Sequence, residues 1–213
     1  MVVQAHFTAG TTQIHVFSGE RRLIDRVRLA VRDCSPNTTF PSNIHLMDAA
    51  NLDDPNAEQP GAAKILLYTR INSSLLEKSA RAGFNGFLSV SRVTSRLCEA
   101  IDSLSAGQAF LDHEALEIVL NRNGVSPVVP NHDHVAIETL TPREREVFEY
   151  LVRGVSIREI GAQLSISERT VEVHRRRILE RLGLSNVVQL FHVAFQAGIV
   201  TRDELLAEFS QPD

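Results

Sequence analysis

Along the first 120 residues, short apolar runs alternate with stretches of helical periodicity. Residues 13–17 (QIHVF), 43–47 (NIHLM), 64–68 (KILLY) and 86–90 (GFLSV) read as strands. Between and after them, residues 21–32 carry Leu23, Ile24, Val27, Leu29, Ala30 and Val31 at helical spacing, and 75–82, 93–104 and 112–120 read as further helices. Strands alternating with helices predict an α/β layer on a parallel sheet. The pattern breaks at 121–140 (NRNGVSPVVPNHDHVAIETL), where two prolines, a glycine and three asparagines interrupt any periodicity. The predicted organisation is therefore an α/β domain over 1–120, a linker over 121–136, a second domain over 137–201 and a tail over 202–213.

The second domain shows no strand signal and reads as four capped helices. Thr141-Pro142-Arg143-Glu144 is a capping box with proline at the first helical position. Val147, Tyr150 and Leu151 follow at helical spacing, and Gly154 ends that helix. Ser156-Ile157-Arg158-Glu159 is a second capping box, opening a helix to Leu164. Ser167 caps a longer helix that ends at Gly183, and Ser185 opens a fourth helix through Ala197. The two middle helices, joined by Ser165-Ile166-Ser167, form a helix-turn-helix.

Composition narrows the function. A net charge of −4 argues against a protein that coats nucleic acid non-specifically. The charge is uneven, however: residues 140–200 hold nine Arg against seven Glu, and no Lys. Arginine is the residue of planar, two-pronged recognition. Cys34 and Cys98 lie far apart and form no CxxC pair, so reduced thiols are expected, with no disulfide framework and no zinc cluster. There is no membrane-length apolar run and no signal-peptide pattern, so a soluble, cytoplasmic chain is expected. His132-Asp133-His134 could ligate a metal, but two histidines in a polar loop are more often solvated, so no metal or other cofactor is expected.

The second helix of the pair, Glu168–Leu182, carries the clearest chemistry. Projected at about 100° per residue, Val171, Ile178 and Leu182 share one face, with Leu179 beside them and His174 near that side. The opposite face holds Arg169, Val173, Arg176, Arg177 and Glu180, with Glu172 on its flank. A valine among arginines suits a major groove, where it can touch a thymine methyl while Arg takes guanine O6 and N7. The competing reading is a charged, solvated face. The segment LTPREREVFEYLVRGVSIREIGAQLSISERTVEVHRRRILERLGLSN closely resembles the LuxR/FixJ-type (GerE) helix-turn-helix of bacterial transcription regulators, over about residues 137–200. The resemblance implies that Glu168–Leu182 enters the major groove of double-stranded DNA. Glu172, Val173 and Arg176 are the implied base readers, and Arg169, Thr170 and Arg177 the phosphate contacts. It also implies homodimerisation through the last helix, whose apolar stripe includes Val187, Leu190, Phe191, Ala194 and Phe195; intradomain core is the alternative use.

Beside such a domain, residues 1–120 look like a response-regulator receiver, matched position by position. Asp48 stands at the phospho-acceptor position, Thr69 at the switch hydroxyl and Phe87 at the switch aromatic. The acidic pair that holds Mg²⁺ is replaced by Ser18 and Gly19, and the expected lysine by Val90. Residues 34–42 leave little room for a strand plus a helix, and 49–63 offer Leu52 as their only large apolar side chain. The expectation is a truncated receiver, its second and third helices reduced or lost, regulated without Mg²⁺-dependent phosphorylation. The alternatives are a conventional regulator phosphorylated on Asp48, or an interaction module whose helix-turn-helix binds protein. An enzyme is not expected, because no Gly-rich phosphate loop, nucleophile elbow or HExxH is present. RNA polymerase and a sensor kinase are further partners the architecture brings into view; a membrane is not.

Overall fold

The computed structural model describes residues 3–9, 12–32, 34, 43–52, 63–120, 135–184 and 186–209. The α/β part holds six strands in the order of the chain: β1 (Val3–Ala9), β2 (Thr12–Ser18), β3 (Asn43–Asp48), β4 (Ala63–Tyr68), β5 (Gly86–Ser89) and β6 (Phe110–Leu111). From β2 to β6 every pairing is parallel, as the alternation of strands and helices requires. β1 departs from the expected sheet, pairing antiparallel with β2 in a register that sets His6 opposite His15. Its signal was in the chain: Val3, Ala5, Phe7 and Ala9 alternate strictly with Gln4, His6 and Thr8. β1 takes the sheet edge beside β2. The expected reduction of the second and third helices falls mostly at 35–42 and 53–62, outside the described residues. The described chain after Asp48 makes one short 3-10 turn, Ala49–Asn51.

Each sheet face has its own cover. Ile14, Val16, Ile44, Leu46, Ile65 and Leu67 point to the side packed by α1 (Arg21–Arg32) and α3 (Val93–Ser105). On α1, Leu23, Ile24, Val27, Ala30 and Val31 are buried, while Leu29 stays exposed. The other face carries Phe17, Met47, Leu66, Tyr68 and Phe87. It is covered by α2 (Ser73–Arg81) and α4 (His113–Val119), and one apolar cluster runs from it into the helical part. Buried Asp112 organises this end of the sheet. It caps α4, accepts from the Ser89 amide at 2.7 Å and accepts from the Tyr68 hydroxyl. Burial and that carboxylate push the Tyr68 pKa up.

The helical part contains α5 (Val135–Glu138), α6 (Pro142–Leu151), α7 (Ile157–Leu164), α8 (Glu168–Leu182), α9 (Val187–Gln196) and α10 (Arg202–Phe209). The capping boxes at Thr141 and Ser156 are both formed. Asn186 is the cap of α9. The segment read as a tail carries α10, whose Leu205 is buried.

The expectation of two reduced thiols is overturned: Cys34 and Cys98 form a disulfide, with Cα atoms 5.1 Å apart. Their separation of 64 residues hides the pairing. It arises because α1 and α3 lie side by side on one sheet face, which brings the end of one against the other.

Candidate nucleic-acid interface

The helix-turn-helix is shaped by its turn. α7 ends at Ser165, which adopts φ 55° and closes the helix in the left-handed region. The Ile166 amide then donates to the Gly161 carbonyl at 2.9 Å. A Cβ on Gly161 would lie 2.9 Å from the Ile166 carbonyl oxygen, so this turn tolerates no side chain there. Gly161→Ala is expected to force the turn outward and cost about 1–3 kcal/mol of stability, read by urea unfolding. An unchanged midpoint would show that the turn has slack. Ser167 starts α8 by accepting from the Thr170 amide at 3.1 Å, and Gly183 stops it at φ 66°. α8 is held to α6 by Arg181, whose Nε lies 3.3 Å from the Glu144 carboxylate. Bonds from the Thr141 amide and hydroxyl, with Arg181 and His174 nearby, hold the Glu144 carboxyl below its usual range against the opposing effect of burial.

The face opposite the core is the one the sequence singled out. Val171, Ile178 and Leu182 are buried. Arg169, Arg176 and Arg177 are exposed, while Thr170, Glu172 and Val173 are half-buried. Arg176 pairs loosely with Glu180 at 3.6 Å. Arg175 was not among the sequence candidates, yet it is engaged on two sides. Its guanidinium holds Glu172 at 2.9 Å and donates to the Gly107 carbonyl of the α/β part at 2.8 Å. One expected base reader is therefore ion-paired and sits beside a contact with the α/β part.

The expected dimerisation side chains Val187, Leu190, Phe191 and Ala194 are all buried, within the apolar cluster shared with the α/β part. Polar bonds pin α9 there. Asn186 caps α9 with its Oδ1, and its Nδ2 donates to the Ala80 carbonyl and, at 3.3 Å, to the Phe84 carbonyl. His192 Nδ1 lies 3.0 Å from the Val119 carbonyl, and burial lowers its pKa. Arg202 reaches the Glu117 carboxylate at 2.5 Å. None of these side chains was a sequence candidate. Each pairs with a residue remote in the chain, and no local pattern marks such a pair.

Ser18, Asp48 and Thr69 all lie at the carboxyl ends of adjacent strands. The Ser18 hydroxyl donates to Asp48 Oδ2 at 3.0 Å, and the Ala50 amide donates to Asp48 Oδ1 at 3.1 Å. Ser18 Oγ in turn accepts from the Glu20 amide at 2.9 Å. Thr69 lies two residues beyond Leu67, the register partner of Asp48, and is exposed. Phe87 is fully buried in β5, and Gly19 is exposed. Val90 opens a 3-10 turn and packs against the core under α1 and α3. These residues do not fit a divalent cation: one carboxylate with both oxygens already bonded, beside a serine and a glycine, is a poor donor set. Among the described residues, no cluster of His, Cys, Asp or Glu is arranged to hold a metal, and no helix is long and apolar enough to cross a membrane. His132 and His134 lie outside the described residues.

Residues 138–194 match the family described as bacterial regulatory proteins, luxR family (GerE). The chain is 32% identical to the transcriptional regulatory protein UhpA of Salmonella typhimurium over 154 residues, 72% of this chain and 71% of that one. It is 25% identical to the response regulator UvrY of Escherichia coli, over 68% of this chain and 64% of that one. Among solved structures, the RcsB response regulator of Salmonella typhimurium is similar at a TM-score of 0.42 and 14% identity, covering 91% of this chain and 100% of that one. The chain therefore belongs to the luxR family of bacterial regulatory proteins, DNA-binding transcriptional regulators of the response-regulator type.

Proposed function

We propose that this regulator is a sequence-specific, homodimeric transcription factor that works without Mg²⁺-dependent phosphorylation of Asp48. The observation that carries the DNA reading is the exposed row Arg169, Arg176 and Arg177 on α8, opposite buried Val171, Ile178 and Leu182. In this reading α8 enters the major groove. Glu172, Val173 and Arg176 meet base edges, while Arg169, Thr170 and Arg177 meet phosphates. What supports independence from phosphorylation is the bonded state of Asp48 beside Ser18, with no carboxylate at Ser18 or Gly19 and no cation at Val90. The residues at 187, 190, 191 and 194 would then serve dimerisation only once α9 leaves the α/β part.

Selection of bound fragments from genomic DNA, followed by titration of the enriched site, tests the readout. Arg176→Ala is expected to weaken the selected site by about 1–3 kcal/mol and to relax one base position. Arg177→Ala is expected to weaken all sequences alike and to flatten the salt dependence. If Arg176→Ala and Val173→Ala leave affinity intact, α8 is not the reading element. Intact mass after incubation with acetyl phosphate and Mg²⁺ tests the second half. A stoichiometric phosphoryl adduct that disappears in Asp48→Ala would make this a conventional response regulator.

A further inference from the structure

The Cys34–Cys98 bridge belongs to neither the reading face nor the corner around Asp48. It lies on the sheet face packed by α1 and α3, where Cys34 is 8% exposed and Cys98 half-buried. The Ala30 carbonyl oxygen lies 3.3 Å from Cys34 Sγ and 3.7 Å from Cys98 Sγ. If the bridge opens, either thiol therefore has an acceptor built into the same backbone. The site can hold a dithiol without stranding a polar group, which an irreversible structural staple would not need.

The bridge also sits on a mechanical line to α8. α3 ends at Ser105, and the turn that follows carries two bonds to the helical part. Gly107 accepts from Arg175 through its carbonyl at 2.8 Å, and the Gln108 side chain donates to the Gly154 carbonyl. A fastening of α3 to α1 therefore acts on the helix whose C-terminal turn contacts α8.

We propose that Cys34 and Cys98 are a reversible oxidation site for small-molecule disulfides, whose closed form secures α3 and, through Gly107 and Gln108, the docked position of α8. The chemistry is two thiol–disulfide exchanges. The Cys98 thiolate, the more exposed, attacks one sulfur of a low-molecular-weight disulfide and releases a thiolate. The Cys34 thiolate then attacks the Cys98 sulfur of the mixed disulfide and releases the second. Two electrons pass from the cysteine pair to the small disulfide, and the two cysteine protons end on the two released thiols. The identity of α8 as the DNA-reading helix rests on the function proposed above; the oxidation and its mechanical effect do not, and both are measured without DNA.

The full chain is equilibrated in glutathione buffers of graded ratio, alkylated with iodoacetamide and weighed intact. The expected product at high oxidised glutathione is a chain without adducts, about 2 Da lighter than the dithiol, which takes two adducts at the reducing end. Hydrogen exchange is then followed in both states. Amides of 107–108 and Glu168–Leu182 are expected to exchange about threefold faster or more after reduction. The Cys34→Ser chain is expected to exchange at the reduced rate in either buffer. The proposal is overturned if both cysteines remain alkylatable at every ratio, or if only mixed glutathione adducts form. It is equally overturned if exchange in α8 is the same in both states.

Discussion

Phe191→Ala is expected to lower the stability of the chain by about 3–5 kcal/mol in urea unfolding, measured at concentrations dilute enough to suppress self-association. Phe191 is 1% exposed in α9 and belongs to the apolar cluster continuous with Phe84, Phe87 and Leu116 of the α/β part. Removing the ring leaves a cavity in that shared cluster. The size of the loss distinguishes two uses of one stripe. If α9 is docked as found here, the cost appears in the dilute monomer. If α9 is instead a free dimerisation face, dilute stability stays unchanged and the mutation weakens only self-association. Val188→Ala, fully buried on the same helix, is expected to follow in the same direction with a smaller loss, because fewer atoms are removed.

The docking of α9 bears directly on the proposed dimer. A helix whose Val187, Leu190, Phe191 and Ala194 are buried within the chain cannot offer them to a second copy at the same time. Dimerisation through these residues therefore has to compete with the contacts made by Asn186, His192 and Arg202. In the proposed dimer that competition would couple two association states, with a strength set by the free-energy difference between them. The Arg175 bond to Gly107 would draw α8 into the same equilibrium.

The parts of the molecule legible in the sequence are those specified locally. Thr141, Ser156 and Ser167 each announce a helix start within three residues, and Gly183 a stop, so α6, α7 and α8 follow from neighbouring residues. The exposed face of α8 with Arg169, Arg176 and Arg177 follows for the same reason, because it depends only on the phase of one helix. β1 carries an equally local signal in its strict alternation, but a weaker one than the apolar runs of the other strands. What was not legible depends on distant pairing. Asn186 meets Ala80 across 106 residues, and Gln108 meets Gly154 across 46. The burial of the α9 stripe within the chain likewise follows from where α2 and α4 stand, which no window of the sequence contains.

His45 gives the chain an acid limit. Its register partners are His15 on β2 and Lys64 on β4, so a second imidazole and an ammonium flank it along one row of the sheet. The ring is 2% exposed, and its Nδ1 has no hydrogen-bond partner among the described residues. Burial first, then His15 and Lys64, lower its pKa to about 4. The fold therefore favours neutral His45, while the unfolded chain protonates it near the ordinary value of about 6.5. The stabilising preference is complete above that value and is lost as pH falls toward the folded pKa, a difference worth roughly 3 kcal/mol at most. His15, lowered in the same direction by its own burial and by His6, adds to the same limb. The expected result is a fall in urea midpoint between pH 6.5 and 4. In His45→Gln, which keeps a neutral polar side chain of similar reach, that slope should flatten to the small remainder from His15. Parallel loss in both chains would assign the acid limit to groups elsewhere, because a non-titrating residue at this position cannot take up the proton that drives it.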